Sequence, residues 1–266
     1  MTPAVSVLMS VHDGAPWVAE AVASVLAQTD CDWEMIVIDD GSTDATPDLL
    51  AGVRDSRLRV HRQAPTGLTP ALNRALALAR AELIARLDAD DRALPERFAH
   101  QRAFLAARPE VGLLGTGARE IDGAGREVRV LRPPTDDAAI RRALIRANPF
   151  VHSSVMARRA LVERAGGYDE RLAVAQDYGL WMRMAALTGL ANLDEPLVVR
   201  RLGERRISVE REEDRLRAEM RVRWRAVASG AYPPWCAVYA LRSAVALALP
   251  RRLRRAVRAA LTGPPA

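Results

Sequence analysis

The sequence has few of the features that mark several common classes of protein. It holds two cysteines, Cys31 and Cys236, which lie far apart and outside any CxxC pair, so neither a zinc site nor a disulfide framework is indicated. The apolar stretch 235–249 is shorter than the roughly 20 residues that a membrane-spanning helix needs. No charged start followed by an apolar segment opens the chain. We therefore expect a protein of the reducing cytoplasm.

Lysine is absent, so every one of the 39 basic residues is an arginine. Their placement is uneven: residues 1–199 carry 23 arginines against 27 acids, whereas residues 200–266 carry 16 arginines against 6 acids. The basic part has few aromatic side chains among its charges, which argues against nucleic-acid binding.

Two nucleotide-binding motifs are also missing. The chain has no GxxxxGK[ST] loop, and no GxGxxG follows its first apolar run. A dinucleotide-dependent oxidoreductase would fit the alternation of strands and helices described below, but it would be expected to carry the GxGxxG motif that this chain lacks. Any phosphate binding would therefore need another device, such as a metal ion.

Short β-rich runs recur along the first third of the chain: VSVLMSV (5–11), EMIVID (34–39), RLRVHR (57–62) and ELIARL (82–87). They start every 23 to 30 residues, which is the length of a strand, a crossover helix and a turn. Stretches with helical apolar spacing lie between them. The pattern predicts an α/β fold with a mostly parallel sheet flanked by helices.

Acidic clusters follow two of these runs, one beginning at Asp39 and the other formed by Asp88, Asp90 and Asp91. Two carboxylates about 5 Å apart repel by about 3 kcal/mol at an effective dielectric near 20. Ser42 and other polar residues after a strand can simply cap the next helix. Two acidic clusters at the carboxyl edge of one sheet, where ligands bind, favour a hard divalent cation that also binds a substrate phosphate.

Five segments carry a resemblance to a known family, in order from about residue 3 to residue 202: VSVLMSVHDG, SVLAQTDCDWEMIVIDDGSTDAT, LIARLDADDRALPERFAHQ, NPFVHSSVMARRALVERAGGYDE and AQDYGLWMRMA. Together they resemble glycosyltransferase family 2, a family of inverting enzymes of GT-A fold. The resemblance implies a GT-A glycosyltransferase domain over residues 1–208, followed by a basic helical extension over residues 209–266. It also implies transfer of a sugar from a nucleoside diphosphate, with a UDP-sugar favoured, to a hydroxyl of a glycan or lipid-linked acceptor.

Site residues follow from the same resemblance, position by position. The implied nucleotide-sugar site consists of Ser10, His12, Asp39, Asn73, Asp88 and Ala89. Asp90, with Asp88, would bind Mg²⁺ or Mn²⁺ at the diphosphate. Asp177 would be the general base that takes the acceptor proton, although without the resemblance a helix cap is the simpler interpretation. His152, Trp181 and Arg183 would lie on the acceptor side; His152 could equally be structural.

The chain departs from the family pattern near the implied base and in a later loop. Gln176 stands where a glutamate is usual, and the loop 200–208 lacks a common histidine, so Arg201 or Arg205 would have to bind the diphosphate. These departures leave open a catalytically silent protein that binds nucleotide sugars. Trp17 is expected in the core rather than in the site.

The C-terminal part carries alternating charges along a predicted helix that ends at Pro233 and Pro234, and two further predicted helices follow it. Residues 235–249 are apolar apart from Arg242 and Ser243, and the following segment places Leu253, Val257 and Leu261 beneath five arginines. Residues 235–261 would suit an anionic membrane surface. The alternative is that both helices pack on the catalytic domain with a solvated basic face.

Overall fold

One mixed sheet with helices on both faces forms the part of the chain that the structure, a computed structural model, describes: residues 2–203 and 211–250. The strands are β1 Val5–Val11, β2 Trp33–Asp39, β3 Leu58–Arg62, β4 Leu83–Arg86, β5 Arg92–Ala93, β6 Val111–Ile121, β7 Glu127–Leu131, β8 Met156–Arg158 and β9 Gly189–Arg201. The helices are α1 Val18–Leu26, α2 Thr46–Ala51, α3 Leu68–Leu78, α4 Arg97–Ala107, α5 Asp137–Leu144, α6 Arg159–Arg164, α7 Gln176–Met184, α8 Glu212–Ala228 and α9 Ala237–Ala248. Short 3-10 turns cover His152–Ser154 and Pro234–Cys236.

The strand order is β3-β2-β1-β4-β8-β6-β9-β5, and β7 pairs with β6. β1 to β4 are parallel neighbours, with Val11 opposite Asp39 and Val5 opposite Leu83. β8 is antiparallel to both β4 and β6, and β9 runs parallel to β6. The four predicted strands are confirmed, whereas the antiparallel strand β8 was not indicated by the spacing of the apolar runs.

Two hydrophobic clusters cover the opposite faces of the sheet. Val7 and Met9 of β1 belong to the cluster that includes the buried face of α1, and Leu8 between them belongs to the cluster that includes α3 and α7. Successive side chains of a strand point to opposite faces, so a fully apolar strand buried on both sides is what a sheet between two helix layers requires. This layering brings the carboxyl ends of β1, β2 and β4 to one open edge.

Helices α8 and α9 pack together on the catalytic part of the chain. Ala218, Val222 and Ala226 of α8 are buried in the same cluster as α7. The predicted domain boundary at 208 lies outside the described residues, because 204–210 are not described. None of the helices in the described ranges is long and apolar enough to cross a bilayer.

Arg223 of α8 is a buried polar link between this helix pair and the rest of the molecule. Its buried guanidinium donates to Ser243 Oγ of α9 (2.7 Å), to the carbonyl oxygen of Arg146 (2.8 Å) and to Tyr178 Oη of α7 (3.2 Å). Glu219, one turn earlier, is 3.2 Å away and supplies a counter-charge. Because the cation is paired and hydrogen-bonded, it fixes the helix pair against α7.

We predict that Arg223→Ala lowers the free energy of unfolding by about 2–5 kcal/mol, because it removes a buried cation and leaves several acceptors without a partner. Urea titration followed by circular dichroism measures the loss. Arg221→Ala, an exposed arginine of the same helix, is the matched control and should change stability by less than about 0.5 kcal/mol. Equal effects of the two substitutions would contradict the assignment.

Candidate functional site

Two adjoining cavities of about 340 Å³ and 610 Å³ lie at the open edge of the sheet and share Leu68, Asp88 and Asp90 in their walls. The larger one is lined further by Ser10, His12, Trp17, Asp40 and Ala89, among others. The smaller one is lined further by Asp91, His152, Gln176, Asp177, Arg200 and Arg201, among others. Ser10, His12 and Ala89 of the predicted donor site and Asp177, the predicted base, therefore line adjoining parts of one crevice.

The wall of the larger cavity is held by hydrogen bonds between the loops after β1 and β2. His12 Nδ1 lies 2.8 Å from the carbonyl oxygen of Asp40, and Ser42 Oγ accepts from the backbone N–H of Asp13 (3.0 Å). Asp44 accepts from the N–H of Ala15 (2.9 Å). The polar residues that the sequence allowed as helix caps thus connect two loops, and they leave the His12 ring exposed to the cavity.

Asp39 is buried at the end of β2 and does not line either cavity. Its Oδ1 accepts from the N–H of Ser42 (2.9 Å), while Oδ2 faces Arg62 Nε at 3.5 Å and accepts no hydrogen bond from the described residues. A buried carboxylate oxygen without a donor is costly, so it is an acceptor available to a ligand N–H.

Asp40, to which the sequence gave no role, shapes the cavity wall. Its carboxylate accepts from Gln63 Nε2 (2.7 Å), from the N–H of Thr66 (2.9 Å) and from the N–H of Gly67 (2.7 Å). Gly41 next to it has φ +78, and a Cβ at this position would lie 2.7 Å from Pro65 Cδ. Asp40 and Gly41 of the DDGS sequence thus hold the loop at residues 63–67 in place, in addition to any role in ligand binding.

The second acidic cluster is anchored from below by a buried arginine. Arg86 forms an ion pair with Asp88 and donates to the carbonyl oxygen of Leu8 (3.1 Å). Burial alone would raise the pKa of Asp88, but the Arg86 guanidinium, together with Ser153, holds that pKa below its usual range. Asp88 is therefore an anion with protein partners on both oxygens.

Ser153 joins Asp88 to Asp91. Its hydroxyl oxygen lies 2.8 Å from Asp88 Oδ2 and 2.5 Å from Asp91 Oδ2, and it accepts from the N–H of Asp88 at 3.1 Å. A hydroxyl carries one proton, so it donates to one carboxylate only. Burial, followed by the charges of Asp88 and Asp90, raises the pKa of Asp91 to about 7, and a protonated Asp91 supplies the second proton.

Asp90 differs from both neighbours. Its side chain lies exposed at the shared wall of the two cavities and has no hydrogen bond or ion pair with another described residue. No group of three or more His, Cys, Asp or Glu side chains within the described ranges is arranged to hold a metal ion. Magnesium commonly binds through one or two carboxylates and substrate phosphates, so the residues fit a metal that the substrate completes.

Asp177 is at the start of α7 and lines the smaller cavity, as Asp90 does. Ala175, directly before α7, has a φ of 57°, which is unusual for a non-glycine residue. Asn148 Nδ2 donates to Asp177 Oδ2 at 2.7 Å, and Asn148 Oδ1 accepts from the N–H of Phe150 at 3.1 Å. Asp177 caps no helix by its side chain. The sequence analysis missed Asn148, for which the Asn-Pro turn signal was the available clue.

His152 lines the smaller cavity together with Asp88 and Asp177. Its Nε2 is 3.1 Å from Tyr168 Oη, and its ring meets those of Tyr168 and Trp181 edge-on. Burial and the charge of Arg86 lower the pKa of His152, so the ring is neutral at pH 7. His152 thus lines the crevice, as predicted, and also packs against two aromatic rings.

Besides Asp39, three predicted site residues do not line the crevice. Asn73 forms hydrogen bonds with the turn at 168–170: its side chain accepts from the N–H of Tyr168 (2.9 Å) and donates to Glu170 (2.8 Å). Trp181 is buried beneath the crevice. Arg183 donates to the carbonyl oxygens of Ala165 and Gly167 on the far side of α7. These side chains support the walls from outside because the helix periodicity turns them away.

Trp17 corrects a further expectation, and Arg201 has partners that the sequence did not predict. Trp17 is half-buried and lines the larger cavity rather than the core. The guanidinium of Arg201 lies over its ring, 3.7 Å from the centroid, and also pairs with Glu20 at 2.9 Å. Arg201 and Arg200 both line the smaller cavity, so the prediction that an arginine of this loop binds the diphosphate stays a prediction. Arg205 lies outside the described residues.

Comparison with known proteins agrees with this geometry. Residues 6–166 match the family model described as Glycosyl transferase family 2, a range that includes Asp88 and Asp90 and ends before Asp177. The amylovoran biosynthesis glycosyltransferase AmsE of Erwinia amylovora is 35% identical over 157 residues, which are 59% of this chain and 58% of that protein.

Two solved structures have a similar fold. The crystal structure of S. aureus TarS 1-349 in complex with UDP-GlcNAc gives a TM-score of 0.69 at 21% identity, covering 84% of this chain and 65% of that one. The mannosyltransferase PcManGT from Pyrobaculum calidifontis, in complex with GDP-Man and Mn²⁺, gives 0.66 at 22% identity, covering 98% and 81%. These likenesses confirm the GT-A fold. The chain spans less than two thirds of AmsE and of the TarS fragment.

We predict that Ser153→Ala lowers the free energy of unfolding by about 1–3 kcal/mol, because two buried acidic groups and one N–H lose their shared partner. Denaturant titration near pH 7 measures the change. Ser229→Ala, at an exposed serine after α8, is the control and should alter stability by less than about 0.5 kcal/mol. A Ser153 variant as stable as this control would contradict the shared-proton network.

Proposed function

The chain belongs to glycosyl transferase family 2, and from this we propose that it transfers a sugar from a nucleoside diphosphate donor to an acceptor hydroxyl. The observation that carries the proposal is the crevice in which Asp88 and Asp90 form the wall between two cavities and Asp177 lines the far one. Such a site can hold the leaving group at one end and a proton acceptor at the other, as a displacement at an anomeric carbon requires.

The nucleotide would occupy the larger cavity. Ser10, His12 and Ala89 line it. Asp39 Oδ2, buried at the end of β2 and without a hydrogen bond from the described residues, is the proposed acceptor for an N–H of the nucleobase. We favour a UDP-sugar, because TarS is described with UDP-GlcNAc. The N–H that Asp39 would accept is present on a uracil edge and on a guanine edge alike. PcManGT is described with GDP-Man, so the fold accommodates both bases.

Mg²⁺ or Mn²⁺ is the proposed cofactor, bound by Asp90 with Asp88 as the more constrained second carboxylate. The ion would neutralise the developing charge of the leaving diphosphate. Support comes from the free carboxylate of Asp90 and from the Mn²⁺ named in the PcManGT complex. Asp91, tied to Ser153 and with its pKa raised to about 7 by burial and by the charges of Asp88 and Asp90, would keep the loop in place rather than bind the ion.

Asp177 is the proposed general base. Its hydrogen bond from Asn148 fixes Oδ2, so Oδ1 is the oxygen that can accept the acceptor proton. Attack from this side opposite to the leaving group inverts the anomeric centre in one step. Gln176, beside it, is buried and uncharged, so the base has no second carboxylate next to it.

We place the reaction in the cytoplasm, at the membrane face, with a glycan or lipid-linked acceptor. Both cysteines are free thiols, which suits a reducing compartment. AmsE is named for amylovoran biosynthesis, which supports a biosynthetic acceptor rather than a degradative role. A silent nucleotide-sugar-binding protein is the alternative, and catalysis separates the two.

Asp177→Asn should reduce sugar transfer by about 10²- to 10⁴-fold, because the amide cannot take up the acceptor proton. The donor is first chosen by thermal stabilisation with a panel of UDP- and GDP-sugars and Mn²⁺. Release of the nucleoside diphosphate is then followed, and donor affinity should stay unchanged. Asp194→Asn, an exposed aspartate paired with Arg132, is the matched control with full activity. Wild-type protein that binds the donor yet never turns it over would support the silent alternative.

Asp90→Asn should weaken UDP binding in the presence of Mn²⁺ by at least about tenfold, because the ion loses its free carboxylate ligand. Calorimetric titration with and without EDTA measures the metal-dependent part of the affinity for wild type and variant. The Asp194→Asn control should keep that part unchanged. Metal-independent binding by the wild type would exclude the proposed role of the ion.

A further inference from the structure

Helix α9 exposes an apolar face. Trp235, Val238, Leu241 and Val245 are 65%, 47%, 57% and 61% exposed. Their spacing of three, three and four residues places them on one side of the helix and of the turn that precedes it. Large apolar side chains grouped in this way on a surface mark an interaction site more often than single exposed residues do.

The orientation of this face is fixed by the opposite side of the same helix. Cys236, Ala240 and Ser243 are buried against the rest of the molecule, and Ser243 Oγ accepts from the buried Arg223. The Trp235 ring also meets that of Tyr239 edge-on, with centroids 6.4 Å apart. The face is therefore held outward by the fold of the catalytic part.

Charge identifies the partner. Residues 231–266 contain six arginines and no acid: Arg242 on α9 and five arginines within residues 251–258, directly after the helix. Residues 1–199 have an excess of acids, so the basic charge is confined to the end of the chain that carries the apolar face. Apolar side chains with tryptophan, next to clustered arginines, are complementary to the interface of a bilayer with anionic lipids.

We propose that this α9 face, Trp235, Val238, Leu241 and Val245, inserts into the headgroup region of an anionic bilayer, with the arginines of residues 251–258 adding electrostatic attraction. The proposal deepens the proposed function, since it would bring the crevice to a lipid-linked acceptor. A second copy of the chain fits less well as the occupant, because both copies would bring their basic segments to the same interface.

The test is co-sedimentation of the full chain with vesicles, in the absence of nucleotide. We expect binding to vesicles of phosphatidylglycerol and phosphatidylcholine, little binding to phosphatidylcholine alone, and weaker binding at high salt. The double variant Leu241→Ser with Val245→Ser should bind at least about tenfold more weakly, because it removes two apolar side chains that would otherwise leave water. The matched control is Val128→Ser with Val130→Ser, on the exposed strand β7 (50% and 39% exposed), which should bind as the wild type does.

Equal binding of the two double variants, or no preference for anionic vesicles, would overturn the proposal. If the basic segment covered the face instead, the α9 variant would lower the melting temperature without changing vesicle binding. If a second copy covered it, light scattering would show a wild-type dimer that the variant dissociates. Vesicle binding is measured without donor, so failure of this proposal is distinguishable from failure of sugar transfer. In a separate assay, both double variants should keep wild-type donor turnover.

Discussion

The ion pair between buried Arg86 and Asp88 is the interaction on which the site depends. Three carboxylates within four residues would repel one another by several kcal/mol if all were charged and unpaired. Arg86 compensates one charge, Ser153 and the raised pKa of Asp91 compensate a second, and of the three only Asp90 has no partner among the described residues. The same buried network that makes the loop tolerable thus selects which carboxylate is available to a ligand. Loss of one partner from such a buried pair typically costs about 3–5 kcal/mol, so the arrangement is strongly specified.

The wall of the crevice that carries Asp177 depends on the C-terminal helices. Arg223 donates to Tyr178, the residue after the proposed base, and to the carbonyl oxygen of Arg146, two residues before Asn148. Asn148 in turn holds the carboxylate of Asp177. The helix pair therefore stabilises the strained entry into α7 from behind, while its outer face remains open to a partner. One segment can in this way connect the geometry of the catalytic wall with the proposed attachment to a lipid surface.

The sequence predicted what depends on local periodicity and missed what depends on long-range packing. The first four strands followed from apolar runs at crossover spacing and are confirmed by the structure. β8 was missed because three residues leave no periodic signal. Asn73 and Arg183 were placed in the site by their motifs, but their direction is set by the turn at 165–170, which only the fold brings to α3 and α7. The roles of Asp88 and Asp90 could be proposed from the order of the sequence motifs alone. Which of the two is paired with a protein side chain and which is open to a ligand became clear only from the position of Arg86 in the structure.

The central claim is that Asp90, rather than Asp91, is the carboxylate open to a cation. A crystal of the full chain grown with UDP and Mn²⁺, with anomalous diffraction collected at the manganese edge, tests it most directly. The account predicts a single anomalous peak within about 2.3 Å of an Asp90 oxygen and of the diphosphate, with Asp91 still bound to Ser153. A peak coordinated by Asp91, or nucleotide bound in the crevice with no peak beside Asp90, would contradict it.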